Sequence, residues 1–463
     1  MPSPDTSRFD VVVVGGGASG ALVATHLLGD GACPYTVALV EARPAMAEGV
    51  AYSTRSPEHL LNVRAAGMSA FGDRPEDFVS FLEGLPEHAG QDRAALGARF
   101  MPRMVYARYL AALAEGRPGL ERLCGITDAA VDVVPLEDGF EVVLASGSRL
   151  QARAVVLAVG NRPARLPLAD GSTSGLAVVE AWDYAGVAAI PPDADVCILG
   201  AGLSMVDVVL ALGANGHRGR ITSLSRSGLM PLPHAEPAPP AEFDVAGLLA
   251  EPRLRARLRA VRRVAAREQA QGRPWQAVMD ALRPHVQALW TSLDAVGQQR
   301  FLRHLVRHWD VHRHRIAPEV ARQLDAATAS GQLQRLAGRL VAVEGGPRPG
   351  ITWRPRGGDG QERFKADVLV NALGVDKRID VGDGLLARLC VRGLLRPGPH
   401  RIGAATAPDG APLGANGAPV PGLWTLGALR VGDLWESIAM PELRGQARDV
   451  AAAVRAHLDA AGP

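Results

Sequence analysis

Hydrophobic positions in this chain fall into short strand-length runs, separated by stretches in which apolar residues recur every three or four places. Residues 11–14 (four valines) form the first such run and enter Gly15-x-Gly17-x-x-Gly20. Ala21, Val23, Ala24, Leu27 and Leu28 then follow at helical spacing. A second run, residues 36–40, ends on Glu41. The same order returns later. Residues 195–199 form an apolar run that enters Gly200-Ala201-Gly202-Leu203-Ser204-Met205, and Val208, Val209 and Leu212 follow at helical spacing. The run 221–224 then ends on Ser225-Arg226. Strand, glycine turn, helix and strand therefore occur twice.

The rest of the pattern fits around these two units. Residues 43–78 lack periodicity and read as a long connection carrying His59, Asn62, Arg64 and Ser69. Residues 102–113 read as a helix with Pro102 in its first turn. Strands are expected around 141–144 and at 154–159, the latter running into Gly160. Residues 230–240 are a proline-rich extended connector, and 243–327 carry helical spacing throughout. Strand patterns return at 341–344, 351–354, 366–371 and 423–426, the last entering Gly427, and a helix begins near Pro441. Strands alternating with helices predict an α/β fold with two Rossmann-like dinucleotide-binding domains, the second inserted in the first. The expected division is 1–165 with 366–463 for one domain, and 166–365, including the helical segment 243–327, for the other.

The spacing of the glycines explains what each turn can do. Gly15 allows the tight turn, Gly17 lets a pyrophosphate approach bare backbone, and Gly20 lets the helix press on its strand. The helix N-terminus, at Ala18 and Ser19, offers unpaired N–H groups and a partial positive charge to phosphate. Glu41 stands 21 residues after Gly20, where an acid accepts ribose hydroxyls, which favours FAD or NAD over NADP. The second turn differs at two points. Met205 replaces the third glycine, so its helix is expected to lie less close to the strand. Ser225 and Arg226 replace the acid; a hydroxyl and a guanidinium suit a ribose 2′-phosphate and point to NADPH. Arg218 and Arg220 either assist or face solvent.

Composition narrows the partners. At 463 residues, 47% hydrophobic and 21% charged, the chain suits two or three globular domains. A net charge of +2 with interleaved arginines gives no nucleic-acid face. The arginines of 253–267 alternate with Leu, Ala and Val and read as the solvated side of an amphipathic helix. No run is long enough to span a membrane, and no signal peptide is expected, so the expected setting is cytoplasmic. Cys33, Cys124, Cys197 and Cys390 are far apart, which gives neither a zinc ribbon nor a redox pair. His304, His308, His312 and His314 lie among Arg303, Arg307, Arg313 and Arg315 without an H-E-x-x-H arrangement, so no metal site is expected.

The glycine fingerprint, the stretch GVAYSTRSPEHLLNVRAAGMSAF, the Ser204-bearing turn, WDVHRHRIAPEV and GDLWESIAMPELRGQA together resemble a bacterial family of FAD/NAD(P)-binding flavoproteins. More distantly, the layout resembles flavin-dependent N-hydroxylating and Baeyer–Villiger-type monooxygenases. The resemblance implies that Gly15, Gly17, Ala18, Ser19, Gly20 and Glu41 hold the ADP half of FAD. It places NADPH on Gly200, Gly202, Ser204, Ser225 and Arg226. The loop 60–64 and residues 427–437, among them Gly427, Glu436 and Ser437, would flank the ring system, and Gly160 would be a further cofactor-binding residue. It further implies oxygen activation as a flavin hydroperoxide and a small-molecule substrate, with O2 as the co-substrate. The chain lacks the long fingerprint associated with Baeyer–Villiger enzymes, which favours hydroxylation at nitrogen or carbon. Asn62 could donate a hydrogen bond to the flavin, His59 could move a proton, and Arg64 could hold an anion; each of the three equally suits tying the loop. An NADPH dehydrogenase or oxidase, and a non-catalytic redox sensor, stay open. Oligomeric state and substrate are left open.

Overall fold

The computed structural model describes residues 6–29, 34–114, 119–166 and 178–460. Cys33 lies outside them. The chain forms two compact units. The first takes residues up to Thr54, then Val63–Asn161 and Lys377–Pro463; the second takes Arg55–Asn62 and Arg162–Asp376. Both are α/β, Rossmann-like units, and the second is inserted in the first.

The strands, in chain order, are β1 (Thr6–Val14), β2 (Val37–Glu41), β3 (Leu123–Thr127), β4 (Ala130–Leu136), β5 (Gly139–Leu144), β6 (Arg149–Leu157), β7 (Val178–Glu180), β8 (Val196–Leu199), β9 (Ile221–Ser225), β10 (Leu333–Glu344), β11 (Gly350–Pro355), β12 (Glu362–Lys365), β13 (Val368–Asn371) and β14 (Leu423–Thr425).

In the first unit, β3-β2-β1-β6 run parallel, with Val11 beside Val37 on one side and Ala154 on the other. The far edge of β6 is shared. Its beginning pairs antiparallel with β5 of the β4–β5 hairpin, while Val155–Leu157 pair parallel with β14. Val11, Val12 and Val13 are completely buried, as the continuous apolar run of a parallel strand covered on both faces requires. Each such side chain contributes roughly 1.5–3 kcal/mol by leaving water. The helices Ala18–Leu28 and Met440–Ala460 pack together. Arg455 of the second donates to the carbonyls of His26 and Leu27 at the end of the first.

The second unit repeats this plan. Its parallel core reads β10-β9-β8-β13-β7, strand for strand the counterpart of β3-β2-β1-β6-β14. A meander β10-β11-β12 extends one edge. Between β9 and β10 lie seven helices among the described residues, from Val245–Ala250 to Pro318–Ala329, with their own apolar cluster around Leu248, Val278 and Leu282. Buried Arg257 ties that layer together, donating to the carbonyls of Glu251, Leu249, Leu289 and Ser292. No described helix is long and apolar enough to cross a membrane.

Several expectations needed adjustment. The connection 43–78 contains a short helix, Gly49–Tyr52, and a 3-10 turn, Ala65–Gly67. The strand expected at 341–344 begins at Leu333, since Gln334 and Arg335 hide its apolar pattern. β12 has almost no apolar signal (Glu-Arg-Phe-Lys); its pairing with β11 makes it a strand.

Candidate cofactor sites on two glycine turns

Both turns sit at the carboxyl end of the central strand, where the sheet order switches sides and ligands of open α/β sheets bind. Their geometry matches closely. Gly15 has φ +104° and Gly200 φ +126°, values that favour glycine. The Gly15 amide donates to Val40 O at 2.8 Å, and the Gly200 amide to Leu224 O at 2.9 Å. A methyl group on Gly15 would meet Ala158 O at 2.3 Å; one on Gly200 would meet Ala372 O at 2.1 Å. Gly17 and Gly202, both extended, are the N-caps of Ala18–Leu28 and Leu203–Ala214, and neither helix has a side-chain cap, which leaves the first-turn amides to a ligand.

The surroundings then diverge. In the first turn a methyl on Gly20 would lie 1.9 Å from Gly15 O, so the third glycine is required for helix and turn to touch. Gly17 faces Gly49, whose Cα would stand 3.1 Å from an added methyl. Ser19 Oγ would be 3.4 Å from a methyl on Gly427, which places that C-terminal glycine beside the start of the first helix. Glu41 folds back on the turn: Oε2 accepts from Gly16 N at 2.9 Å and Oε1 from Arg43 N at 3.0 Å. Gly160, at φ +65°, has no neighbour within 4 Å of an added methyl.

Gly427 N donates to Gln446 Oε1, Ser437 Oγ donates to Gly427 O at 2.7 Å, and Gln446 Nε2 donates to Ser437 O. Ser437 is completely buried, so its hydroxyl shapes the Gly427 turn rather than facing out. Glu436 is buried too, with its amide on Leu434 O.

In the second turn Gly202 has open space within 4 Å of an added methyl, a cradle that a ligand can fill. Met205 is wholly buried where the first turn has glycine. Ser223 Oγ donates to Gly200 O at 2.8 Å and braces the turn from beneath. Ser204 Oγ accepts from Trp182 Nε1 at 3.2 Å. At the end of β9, Ser225 Oγ accepts from Gly228 N, whereas Arg226 is exposed and forms no ion pair among the described residues. Arg218 and Arg220 are committed elsewhere, to Asp193 and Asp195.

The three loop residues separate. His59 and Asn62 belong with the second unit and Arg64 with the first. His59 is 1% exposed, and its Nε2 donates to Asp207 O at 2.9 Å. Because a carbonyl only accepts, that bond fixes the proton on Nε2. His234 Nε2 likewise donates to Asn62 O at 3.0 Å. The Asn62 side-chain amide forms no hydrogen bond among the described residues. Arg64 donates to Ala98 O at 2.6 Å and lies over the Phe100 ring. His312 Nδ1 meets His308 O and its ring abuts Trp275, so that histidine serves packing.

Sequence reasoning missed Trp182, Ser223 and Gly49, which approach the turns from outside the glycine motifs. A cleft of about 940 Å³ in the first unit is lined by Thr25, Phe71, Arg74, Pro441 and Arg444 among others.

A family model described as FAD-NAD(P)-binding matches residues 12–162, the stretch that contains the first turn. No curated protein matches the chain by sequence. Among solved structures, the reduced ornithine hydroxylase of Pseudomonas aeruginosa superposes with a TM-score of 0.68 at 15% identity, over 97% of this chain and 99% of that one. An ornithine N-hydroxylase of Kutzneria sp. 744, described with reduced FAD, NADP+ and L-ornithine, gives 0.68 at 16% identity, again over 97% and 99%. A bacillithiol disulfide reductase of Staphylococcus aureus gives 0.57 at 12% identity over 97% and 99%. At these identities the likeness is one of fold. The resemblance read from the sequence is borne out by the FAD-NAD(P)-binding domain and by this shared fold.

Proposed function

We propose, from an FAD-NAD(P)-binding domain followed by a second turn of the same geometry, that this chain is an FAD- and NADPH-dependent monooxygenase that hydroxylates a small molecule, at nitrogen in the favoured version. The observation that carries the reading is the difference between the two turns: Glu41 closes on the first, whereas the strand after the second ends on Ser225 and an exposed Arg226 that forms no ion pair among the described residues.

Gly15, Gly17, Ala18, Ser19, Gly20 and Glu41 would hold FAD, with Gly160 and the Gly427 turn, shaped by Ser437, beside it. Gly200, Gly202, Ser204, Ser225 and Arg226 would hold NADPH. The residues fit these groups: both helix starts present uncapped amides, and Gly202 leaves its cradle open. When bound, FAD supplies hydride acceptance from NADPH and activation of O2.

The protein's own tasks are then binding and orientation. Arg226 discriminates the 2′-phosphate by charge. The Asn62 side-chain amide, which forms no hydrogen bond among the described residues, is assigned to donate to a ligand. His59, with Nε2 occupied by Asp207 O, has a positioning role, and Arg64, tied to Ala98 O, holds the loop. Burial pushes the Cys197 thiol up to about 12 and that of Cys390 up to about 11, so neither of these two offers a ready thiolate.

The test is turnover under 18O2 with NADPH and a panel of ornithine, lysine and simple diamines. One labelled oxygen in the product per NADPH consumed supports the proposal. Stoichiometric hydrogen peroxide with every amine supports an oxidase, and a single reduction without cycling supports a redox sensor.

A further inference from the structure

The indole of Trp182 approaches the second turn from outside the glycine motif, and its bond to Ser204 decides what the serine can do. An indole N–H donates and never accepts. Ser204 Oγ therefore meets Trp182 Nε1, at 3.2 Å, with a lone pair, and its single O–H remains for donation. Ser204 is the second residue of the helix Leu203–Ala214, whose N-terminal amides already favour an anion. Without the indole, a serine hydroxyl at this place rotates among backbone acceptors and water.

Trp182 is itself held by its neighbours on both sides. The Ala181 amide donates to Asn371 O at 3.0 Å, and Asn371 Nδ2 reaches both Glu180 carboxylate oxygens at 3.1 and 3.0 Å. Asp183 caps the next helix, Tyr184–Ala188, accepting from Gly186 N at 2.9 Å. Asn371 ends β13, the strand beside β8, so the bracket is continuous with the sheet that carries the turn.

We propose that Trp182 is a positioning residue for the nicotinamide dinucleotide: it commits the Ser204 hydroxyl to donate toward the pyrophosphate. The proposal rests on NADPH occupying the second turn.

The experiment measures the dissociation constant of NADP+ by calorimetry on FAD-loaded wild type, Trp182→Phe, Ser204→Ala and the double variant. FAD content and melting temperature report the fold of each. Trp182→Phe is expected to weaken NADP+ about fivefold, the size of one ordinary hydrogen bond. Added to Ser204→Ala it should weaken binding no further, because the indole acts only through that hydroxyl. Trp182→His, which keeps a ring N–H, should bind more tightly than Trp182→Phe; it also serves if the phenylalanine variant is unstable. Equal and additive losses in the Ser204 and Ser204→Ala backgrounds, or no difference between the histidine and phenylalanine variants, would overturn the proposal. Wild type that fails to bind NADP+ would overturn the reading beneath it, and the proposal with it.

Discussion

Glu41 holds the amide of Gly16: its Oε2 accepts that N–H at 2.9 Å, and its Oε1 takes the Arg43 amide at 3.0 Å. The acid at the end of β2 thus shapes the phosphate turn as well as standing where a ribose would lie. Replacing it removes both effects. Glu41→Ala is expected to weaken FAD about tenfold to a hundredfold, roughly 1–3 kcal/mol for a charged acceptor lost from a part-buried amide. Glu41→Gln keeps an acceptor for Gly16 and should lose less. Fluorescence titration of the apoprotein with FAD measures both, and equal affinity in all three proteins would remove Glu41 from the site.

Gly20 and Gly202 call for opposite outcomes from one substitution. A methyl on Gly20 would lie 1.9 Å from Gly15 O, so Gly20→Ala should lower the melting temperature sharply and abolish FAD retention. A methyl on Gly202 has open space around it, so Gly202→Ala should fold and melt as wild type and retain FAD. Its loss should appear only as weaker NADP+ binding, because the added carbon occupies the cradle. If Gly202→Ala binds NADP+ normally, the second turn is not the coenzyme site.

How much of this was legible in the sequence follows from how local each feature is. The strand–turn–helix–strand units were readable because four buried valines and a glycine triplet carry their own signal within one window. The duplication of sheet order was hidden, since it depends on pairings such as Leu369 with Cys197 across the inserted helices. Trp182 gave no signal, because a single tryptophan before a short helix looks like any half-buried aromatic. The commitments of Arg64 to Ala98 O and of His59 to Asp207 O were likewise set by partners 34 and 148 residues away. β12 escaped notice because its strand character comes from its neighbour.

The tyrosine cluster of the first unit gives a pH signature. The Tyr106 ring packs at a tilt against both Tyr52 and Tyr109, and desolvation raises all three phenols, that of Tyr52 to about 12. Tyr109 also donates to Asp77, whose carboxylate disfavours a neighbouring phenolate. The folded state therefore holds these protons more tightly than the unfolded chain, whose phenols titrate near 10. This contribution is intact below about pH 10 and is lost as pH rises through about 12. Titration of phenolate absorbance should show these three of the five tyrosines silent at about pH 10.5 in folded protein and ionised in denaturant. Melting temperature should fall over the same window. Five tyrosines ionising together near 10 in folded protein would contradict the packing.

Arg226 should decide the coenzyme. It is exposed, without an ion pair among the described residues, and follows Ser225 at the end of β9. Arg226→Ala is expected to cost NADPH about tenfold to a hundredfold in affinity and leave NADH unchanged, the value of a charge-assisted phosphate contact.

Anaerobic titration of the FAD-reconstituted protein bears most directly on the central claim, that one chain holds FAD on its first turn and NADPH on its second. The account predicts that one equivalent of NADPH bleaches the flavin absorbance completely, and that NADH requires far higher concentrations for the same rate. Protein that stays colourless after reconstitution, or flavin reduced equally well by NADH and NADPH, would contradict it.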